Sequence, residues 1–253
     1  MVHFVGAGSG GADLITVRGA QLLKKADVII YAGSLVNTEL LTYAQKSCKL
    51  YDSAEMTLEQ VIEVMVEGAK QNADIVRLHT GDPCLYGAIR EQMDELIKYD
   101  IEYDYTPGVS SFCGAAAALK TEYTLPNVSQ TVIITRMEGR TAMPDREKMS
   151  MLAQHGSTMV IFLSTGLIPQ LVNELTQGAY TKDTAAAIVY KATWPEEKVY
   201  RCTIGTLEQT AKDNNITKTA LITVGDFLTP SYERSKLYDP SFTTEFRQGT
   251  EKE

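Results

Sequence analysis

The order of strand-like and helix-like segments is the feature of this sequence that most restricts its fold. Short apolar runs at Val2–Gly6, Val28–Tyr31 and Ile75–His79 are typical of buried strands, and segments of helical periodicity separate them. Val17–Lys25 is one such helical segment, with Thr16 placed to cap its N-terminus. Strands that alternate with helices indicate an α/β fold with mainly parallel or mixed sheets and helices on their faces.

The clearest helix is predicted over residues 57–70. Its apolar residues fall at positions 58, 61, 62, 65, 66 and 69, which form one face, and Thr57-x-x-Gln60 has the form of a capping box. Further helices are predicted after a cap at Ser34, over the small residues 113–119, and where one face is formed by Ile89, Met93, Leu96 and Ile97.

The same alternation resumes after residue 126 and predicts a second α/β domain. Strands are predicted at 131–135, 158–162, 185–190 and 220–224, with a more polar edge strand at 198–203. Helices are predicted near 145–154, 168–177 and 206–213, the last with the capping-box pattern Thr206-x-x-Gln209.

The domain boundary is placed in the stretch 122–129, because Pro126 and Asn127 interrupt the pattern there. The predicted organisation is an N-terminal domain at 1–121 and a C-terminal domain at 122–228. A polar tail at 229–253, of the kind that is often disordered, follows them.

The acidic composition argues against two classes of partner. Among 253 residues, 24 Lys and Arg stand against 32 Asp and Glu, which gives a formal net charge of −8. Binding of nucleic acid or of an anionic membrane needs a basic face, so neither is expected. The longest uncharged stretch, 156–173, contains polar residues and a proline and is not a membrane span.

The cysteines and histidines give no sign of a disulfide framework or a metal site. Cys48, Cys84, Cys113 and Cys202 are widely spaced, and the three histidines are equally scattered. The N-terminus lacks the basic and long apolar segments of a signal peptide. We therefore expect a reduced, cytoplasmic protein without a dedicated metal site.

The first strand leads into Gly6-Ala7-Gly8-Ser9-Gly10-Gly11, which matches G-x-G-x-x-G. A dinucleotide site needs a helix that begins at these glycines, whereas Thr16 is the predicted cap here and no acidic residue ends the second strand. Nicotinamide or flavin binding is therefore disfavoured. A tight turn with positive φ, or a loop whose backbone approaches another ligand closely, remains.

Two loops follow neighbouring predicted strands and are candidates for one ligand site. The first contains Gly81-Asp82-Pro83 and the second Pro107-Gly108-Val109-Ser110-Ser111. Loops at the carboxyl ends of parallel strands are where open α/β sheets bind ligands. Each loop alone is as well explained by turn formation and helix capping, but together they favour a shared ligand site. Cys84 is interpreted as a packing residue rather than a nucleophile.

Arg136 and Arg140 lie in the loop that follows the first strand of the second half. Loop arginines commonly form exposed ion pairs that contribute little, and they also suit bidentate recognition of carboxylates. The only tryptophan, Trp194, follows another strand and is either a core residue or part of a cleft. No catalytic residue is assigned, because neither a catalytic triad nor a pair of carboxylates stands out. In an enzyme of this kind, bound groups supply the reactivity and the protein positions them.

In this order, these segments resemble the tetrapyrrole (corrin/porphyrin) methylase family over about residues 2–228. The matching segments are VGAG at 5–8, DLITVRG at 13–19, ADVIIY at 26–31, GDP at 81–83 and PGVSS at 107–111. Ser9-Gly10-Gly11-Ala12 departs from the Pro-Gly-Asp-Pro of many members. Within the family, YAGSLV at 31–36, SQTVI at 129–133, TRMEGRTAMP at 135–144 and ATWPEE at 192–197 resemble the precorrin-4 C(11)-methyltransferases of cobalamin biosynthesis.

The resemblance implies a two-domain α/β enzyme, usually a homodimer, with its active site in the cleft between the domains. S-adenosylmethionine would be the methyl donor and S-adenosylhomocysteine the product. The implied cofactor contacts, largely through the backbone, are Gly81, Asp82, Leu85, Ser110, Ser111, Phe162, Leu163, Ala192 and Ala220. A tetrapyrrole would lie in a trough beneath the loop 9–12, against Ser9 and Gly10, with its acetate and propionate groups bound by Arg136 and Arg140.

The implied reaction is methyl transfer to carbon 11 of precorrin-4 or cobalt-precorrin-4, without a covalent enzyme intermediate. Both substrates fit, because the metal would be held by the macrocycle and needs no protein ligand. One open alternative is another methylase of this fold, acting on uroporphyrinogen III, on a different precorrin position, or on a protein or RNA. A second alternative is a non-catalytic nucleotide-binding module built on the first glycine loop.

Overall fold

The computed structural model describes residues 1–250, and the chain forms two compact units. Unit 1 consists of Met1–Ala115 together with the segment Lys191–Glu197, and unit 2 consists of Ala116–Tyr190 and the described residues 198–250. These units differ from the predicted ranges in two ways. The division follows Ala115, before the predicted stretch 122–129, and a segment of the second half packs with the first. The position of the division and the unit to which Lys191–Glu197 belongs both depend on contacts between residues distant in sequence. Local interruptions of the sequence pattern, such as Pro126, do not reveal such contacts.

Five strands of unit 1 form one parallel sheet. They are β1 (Val2–Gly6), β2 (Val28–Tyr31), β3 (Lys49–Asp52), β4 (Ile75–His79) and β5 (Tyr103–Thr106), in the order β3-β2-β4-β1-β5. The register pairs Gly6 with His79 and Val5 with Thr106, so β4, β1 and β5 end at the same level. The loops after these three strands therefore leave the sheet side by side.

Four helices accompany this sheet: α1 (Val17–Lys25), α2 (Leu58–Lys70), α3 (Arg90–Lys98) and α4 (Ser111–Leu119). Two caps are confirmed. Thr16 Oγ1 accepts a hydrogen bond from the Gly19 amide at 3.1 Å, and Thr57 and Gln60 form the predicted capping box of α2. The sequence predicts that α1 begins after Thr16 and not at the glycine run. The structure confirms this, because the N-terminus of α1 lies at Val17.

The sheet of unit 1 buries apolar side chains on both faces. Phe4 and Ile30 pack with Met65 of α2 on one face, while Val5 packs with Leu23 of α1 on the other. Full burial of such a side chain stabilises the fold by roughly 1.5–3 kcal/mol. The strand ends are consequently rigid supports for the loops that follow them.

Unit 2 contains β6 (Val132–Arg136), β7 (Thr158–Phe162), β8 (Ala185–Tyr190), β9 (Lys198–Thr203) and β10 (Ala220–Val224). Their order is β6-β7-β10-β8-β9, with β6 and β7 parallel and the other three pairings antiparallel. The helices are α5 (Met149–Leu152), α6 (Ile168–Leu175) and α7 (Leu207–Asp213). The predicted α/β class with parallel and mixed sheets is confirmed, and β9 is an edge strand as predicted.

Two predicted helix caps are wrong. Ser34 lies within the 3-10 turn Gly33–Leu35, and Asn37 caps the next turn instead by accepting a hydrogen bond from the Glu39 amide at 3.0 Å. Thr206 does not pair with Gln209. It accepts a hydrogen bond from the amide of Thr203, one turn earlier, so a short 3-10 turn precedes α7.

Two further local predictions differ from the structure. The sequence predicts Leu96 and Ile97 on one face of α3, but only Leu96 is buried and the Ile97 side chain is exposed. Strand β3 is not predicted, because its sequence Lys-Leu-Tyr-Asp mixes charged and apolar residues. It adds an edge to the sheet by pairing with β2.

The tail is described to Thr250 and belongs to unit 2. It contains the 3-10 turn Lys236–Tyr238, and the Arg247 guanidinium donates hydrogen bonds to the carbonyls of Leu237 and Phe242 at 3.2 and 3.3 Å. The last three residues of the predicted tail, 251–253, lie outside the described residues. Each helix within residues 1–250 is too short or too polar to cross a membrane.

Candidate functional site

The loops that follow β1, β4 and β5 pack together through glycine backbone. A Cβ on Gly6 would lie 2.6 Å from the Gly108 Cα and 2.7 Å from the Gly81 carbonyl oxygen. Gly8 and Gly81 exchange backbone hydrogen bonds of 3.2 and 2.9 Å. Side chains at these positions would separate the three loops, which explains why the glycine run follows β1.

Asp82 joins the loop after β4 to the loop after β5. Its Oδ1 accepts hydrogen bonds from the Cys84 amide at 2.9 Å and from the Tyr105 hydroxyl, and its Oδ2 accepts one from the Gly108 amide at 3.0 Å. Partial burial acts to raise the pKa of Asp82, but the hydrogen bonds from Tyr105, Cys84 and Gly108 lower it below its ordinary value. The carboxylate is therefore charged at neutral pH and fixes both loops.

The loop after β4 is also held from behind by buried polar side chains. Tyr86 and Ala88 have positive φ angles of 57° and 48°, which non-glycine residues adopt only under constraint. Gln92 of α3 donates a hydrogen bond to the Ala88 carbonyl at 2.9 Å and accepts one from Arg77 Nε at 2.9 Å. Arg77 Nη1 donates to the Ile30 carbonyl at 3.1 Å. Hydrogen bonds through Gln92 and Arg77 thus connect the strained end of the loop to β4 and β2 in the sheet.

Two buried polar atoms at this edge have no hydrogen-bond partner within the described residues. They are Nε2 of His79, the last residue of β4, and Oγ1 of Thr106, the last residue of β5. Burial, together with the charge of Arg77, lowers the pKa of His79 to about 3, so its ring is neutral at physiological pH. Unpartnered polar atoms directly before two loops fit a site that binds a polar ligand.

The segment Lys191–Glu197 holds the first glycine loop. Thr193 Oγ1 accepts a hydrogen bond from the Gly11 amide at 3.0 Å and lies 3.0 Å from Ser9 Oγ. The Trp194 indole packs against Gly10, whose carbonyl accepts a hydrogen bond from Asn37 at 2.9 Å. Trp194 is half-buried rather than a core residue, and it packs so closely on Gly10 that a side chain there would overlap it.

The structure brings the predicted unit 1 residues into one region. Gly81 lies against Ser110 and Ser111, with 3.4 Å from a Cβ on Gly81 to the Ser111 amide, and Leu85 donates its amide to the Asp82 carbonyl at 3.2 Å. A second contact joins Ala192, whose carbonyl oxygen packs against Gly10. Ser9 is 7% exposed and its hydroxyl faces Thr193, so its side chain offers little surface to a substrate.

Four of the five remaining predicted residues lie near one another within unit 2. Arg136 and Phe162 are register partners at the ends of β6 and β7, and Leu163 follows with a φ of 53° and an exposed side chain. The carbonyl of Ala220 accepts a hydrogen bond from Thr165 at 3.4 Å, just beyond that strand end. Arg140 lies apart in an exposed loop.

The sequence matches the profile of the Tetrapyrrole (Corrin/Porphyrin) Methylases over residues 1–208. The chain belongs to this family. Its recognition from the glycine loops and the predicted methyltransferase class are thereby confirmed. Among residues 1–250, no three His, Cys, Asp or Glu side chains come together as a metal-binding group.

Several methylases resemble the chain over nearly their whole length. It is 53% identical to the Cobalt-precorrin-4 C(11)-methyltransferase of Methanocaldococcus jannaschii, over 99% of this chain and 97% of that protein. It is 42% identical to the protein of the same name from Priestia megaterium, over 100% and 99%. The X-ray structure of a cobalt precorrin-4 methyltransferase, described as a cobalamin biosynthetic enzyme, matches with a TM-score of 0.88 and 42% identity, covering 90% and 96%.

Sequence reasoning missed several residues that shape the site. Arg77 gives a signal, because a charged residue in the middle of an apolar strand requires buried partners. Thr193 gives none, since its partner Ser9 is 184 residues away. Tyr105 and Gln92 likewise look like ordinary amphipathic positions until the loops they hold are seen.

Proposed function

We propose that this methylase transfers a methyl group from S-adenosylmethionine to carbon 11 of precorrin-4 or cobalt-precorrin-4, in cobalamin biosynthesis. The observation that carries the proposal is 53% identity, over 99% of the chain, to a cobalt-precorrin-4 C(11)-methyltransferase. The match extends through the regions of both units that hold the predicted site residues. The 42% identity shared with a solved cobalt precorrin-4 methyltransferase supports it independently.

The loops of unit 1 have the chemistry that S-adenosylmethionine requires. The cofactor presents amino, carboxylate, hydroxyl and adenine groups, which suit the backbone of closely packed glycine loops and the start of α4 at Ser111. The unpartnered atoms of His79 and Thr106 fit a polar ligand at the same edge. We therefore assign cofactor binding to Gly81, Asp82, Leu85, Ser110 and Ser111, with Ala192 from the segment 191–197.

The contributions of unit 2 are part of the same proposal. Phe162, Leu163 and Ala220 are assigned to the cofactor, and their shared position at the ends of β7 and β10 supports treating them as one group. The exposed, positive-φ Leu163 is unusual for an apolar residue and is consistent with a ligand contact.

The protein's role in the reaction is positioning. When bound, S-adenosylmethionine supplies an electrophilic methyl group that carbon 11 of the macrocycle accepts, leaving S-adenosylhomocysteine. The fixed loops at Gly81 and Gly108 set the place of the donor, and the loop 9–11 is proposed to set the place of the acceptor. Holding two reactants at one distance and angle converts a bimolecular step into an effectively unimolecular one. No covalent bond to the protein is needed.

Arg140 and Arg136 are proposed to bind the acetate and propionate groups of the macrocycle. Arg140 is exposed in the loop after β6 and has no ion-pair partner within the described residues. Arg136 uses three hydrogen bonds on its own loop, to the carbonyls of Met137, Thr141 and Ala142 at 3.0 to 3.3 Å. Its positive charge still contributes to the local potential.

The cytoplasmic location and the homodimer are also proposals. All four cysteines, which lie within the described residues, are free thiols, as is usual for proteins of a reducing compartment. The homodimer follows from the family resemblance, and analytical ultracentrifugation tests it directly.

The test of function is incubation with methyl-labelled S-adenosylmethionine and precorrin-4, with and without cobalt. NMR of the product should place the label on carbon 11, and comparison of the two reactions identifies the preferred substrate. Label at another carbon, or on uroporphyrinogen III offered in the same assay, would contradict the proposal. Calorimetry with S-adenosylhomocysteine and NAD separates a methylase from a nucleotide-binding module, because the module alone would bind NAD.

A further inference from the structure

Two adjacent residues of the segment Lys191–Glu197 contact the loop 9–11 that is assigned to the substrate, and one of them is itself assigned to the cofactor. The carbonyl oxygen of Ala192, a proposed cofactor residue, lies against Gly10, where a Cβ would be only 2.7 Å from it. The next residue, Thr193, holds both neighbours of Gly10. Its hydroxyl lies 3.0 Å from Ser9 Oγ and accepts a hydrogen bond from the Gly11 amide at 3.0 Å. The proposed substrate loop is therefore fastened to the chain beside a proposed cofactor contact.

Packing around these residues leaves little room for independent movement. Ser9 and Thr193 also press against Gly114 of α4, where a Cβ would lie 2.7 Å from the Ser9 Cβ and 3.1 Å from the Thr193 methyl. Three segments that are distant in sequence thus meet without space for an extra methyl group. A displacement of any one of them must be shared by the others.

The backbone of the segment is held in a conformation that it would not adopt alone. Lys191 and Thr193 have positive φ angles of 46° and 66°, and the left-handed region is unfavourable for a β-branched residue such as threonine. The Thr193 amide donates to Glu197 Oε2 at 2.6 Å, and the Lys191 ammonium lies 5.1 Å from the Trp194 ring centroid. Strain of this kind persists only where the surroundings determine it, and it is common at ligand clamps.

From this juxtaposition we infer that Thr193 is a positioning residue that couples cofactor binding to tetrapyrrole binding. The inference rests on the proposed function, which assigns Ala192 to the cofactor and the loop 9–11 to the macrocycle. A cofactor that displaces Ala192 displaces the segment, and the Thr193 hydroxyl transmits that displacement to Ser9 and Gly11. Because coupling between two binding sites is reciprocal, each ligand should tighten the other by the same factor.

Calorimetry on the full-length protein measures this factor. S-adenosylhomocysteine is titrated alone and in the presence of saturating cobalt-precorrin-4, a pair that cannot react because the methyl group is absent. For the native protein we expect the Kd of S-adenosylhomocysteine to fall at least fivefold when the tetrapyrrole is present. Thr193→Val keeps the shape of the side chain and removes the hydroxyl, so the effect should shrink to less than twofold.

The separate affinity for S-adenosylhomocysteine should change less than twofold in Thr193→Val, because the hydroxyl contacts the loop and not the cofactor. Thr193→Ser retains the hydroxyl and should retain most of the coupling. Thr181→Val is the matched control in unit 2. There the hydroxyl accepts from the Asp183 amide at 3.3 Å and lies 3.4 Å from Thr184 Oγ1, the same pattern of bonds, and full coupling is expected.

Three results would overturn the inference: absence of coupling in the native protein, full coupling in Thr193→Val, or loss of coupling in Thr193→Ser as complete as in Thr193→Val. If Thr193→Val does not fold, as judged by thermal unfolding, Ser9→Ala replaces it. That variant removes one of the two hydroxyl contacts and should weaken the coupling at least twofold, and unchanged coupling would refute the inference. Failure of the native protein to methylate precorrin-4 or its cobalt complex would instead contradict the proposed function.

Discussion

The loop after β4 in unit 1 and the loop after β6 in unit 2 both follow parallel strands, yet they are held in opposite ways. The first is fixed by hydrogen bonds to other segments: its Asp82 accepts one from the Gly108 amide, and Gln92 of α3 donates one to the Ala88 carbonyl. The second folds around its own Arg136, whose guanidinium donates to carbonyls within residues 137–142. The first loop is therefore held by hydrogen bonds to other parts of unit 1, and the second is held by hydrogen bonds within itself.

This difference fits the two ligands proposed for these loops. A methyl donor must sit at one distance and angle from its acceptor, so its loop gains from a rigid support in the core. The flexible carboxylates at the rim of a tetrapyrrole can be bound by an exposed arginine such as Arg140, which needs no such support. Changes behind the unit 1 loop should therefore have larger effects than changes in the unit 2 loop.

Asp82→Asn should have the largest effect, because it breaks the tie between the two unit 1 loops. An amide NH2 replaces one of the two acceptor oxygens and then faces the backbone N–H of either Gly108 or Cys84, which can only donate. Loss of hydrogen bonds to a charged acceptor costs roughly 1.5–3 kcal/mol each. We expect the KM for S-adenosylmethionine to rise by about 30- to 100-fold in steady-state assays.

Asp94→Asn provides the matched control for that substitution. Asp94 is an exposed aspartate of α3 that pairs with Arg90 at 2.8 Å, and such surface pairs contribute little. Its KM for S-adenosylmethionine should stay within twofold of the native value. Equal effects of the two variants would show that Asp82 is an ordinary turn residue.

Much of this fold can be predicted from sequence, because local pattern and burial agree over most elements. The helix α2 has a full apolar face and both partners of its capping box, so its cap at Thr57 is predicted correctly and its start lies within one residue of the prediction. Strand β3 and the cap at Ser34 fail for the opposite reason. Their local sequences are ambiguous, and pairing with β2 or competition from Asn37 decides the outcome.

The candidate site is predictable only in part. Gly81, Asp82 and Ser110 are recognised because they follow strands directly, where an α/β sheet places its ligands. The side chains that hold these residues in place are not recognised from sequence. Arg77 and Gln92 become neighbours only in the folded core, and Thr193 contacts Ser9 from 184 positions away in the sequence. Side chains that position a site depend on tertiary contacts, which leave little trace in the spacing of residues.

Arg77→Met should have the next largest effect, because it removes the support of the unit 1 loop without touching the loop itself. The substitution leaves the buried oxygens of Gln92 and Ile30 without their donors. A buried acceptor left unsatisfied costs about 1–3 kcal/mol, so the two together should lower the stability in chemical denaturation by roughly 2–6 kcal/mol. The KM for S-adenosylmethionine should rise about tenfold. A stability loss with an unchanged KM would show that the buried hydrogen bonds of Arg77 stabilise the fold without affecting cofactor binding by the loop.

The buried His79 at the end of β4 should make the protein less stable in acid. The unfolded chain takes up a proton near the ordinary histidine pKa of 6.5, whereas the folded His79 has a pKa of about 3. Between these values the unfolded state binds the additional proton, so stability falls as the pH is lowered, by up to about 1.4 kcal/mol per pH unit. His79→Gln should flatten this part of the pH profile in urea unfolding. His155→Gln changes an exposed histidine of unit 2 and should leave the profile as it is.

The smallest effects are expected from the arginines of the unit 2 loop, and they distinguish charge from loop structure. Arg140→Glu reverses an exposed charge and should raise the KM for the tetrapyrrole about three- to tenfold, with less than a twofold change for S-adenosylmethionine. Arg136→Glu also breaks three hydrogen bonds to its loop, so its effect on the KM for the tetrapyrrole should lie at the upper end of that range. Arg136→Lys keeps the charge and loses most of those bonds. If its KM resembles that of the native protein, the charge of Arg136 matters to the substrate. If it resembles that of Arg136→Glu, Arg136 acts by shaping the loop, and Arg140 alone binds the carboxylates.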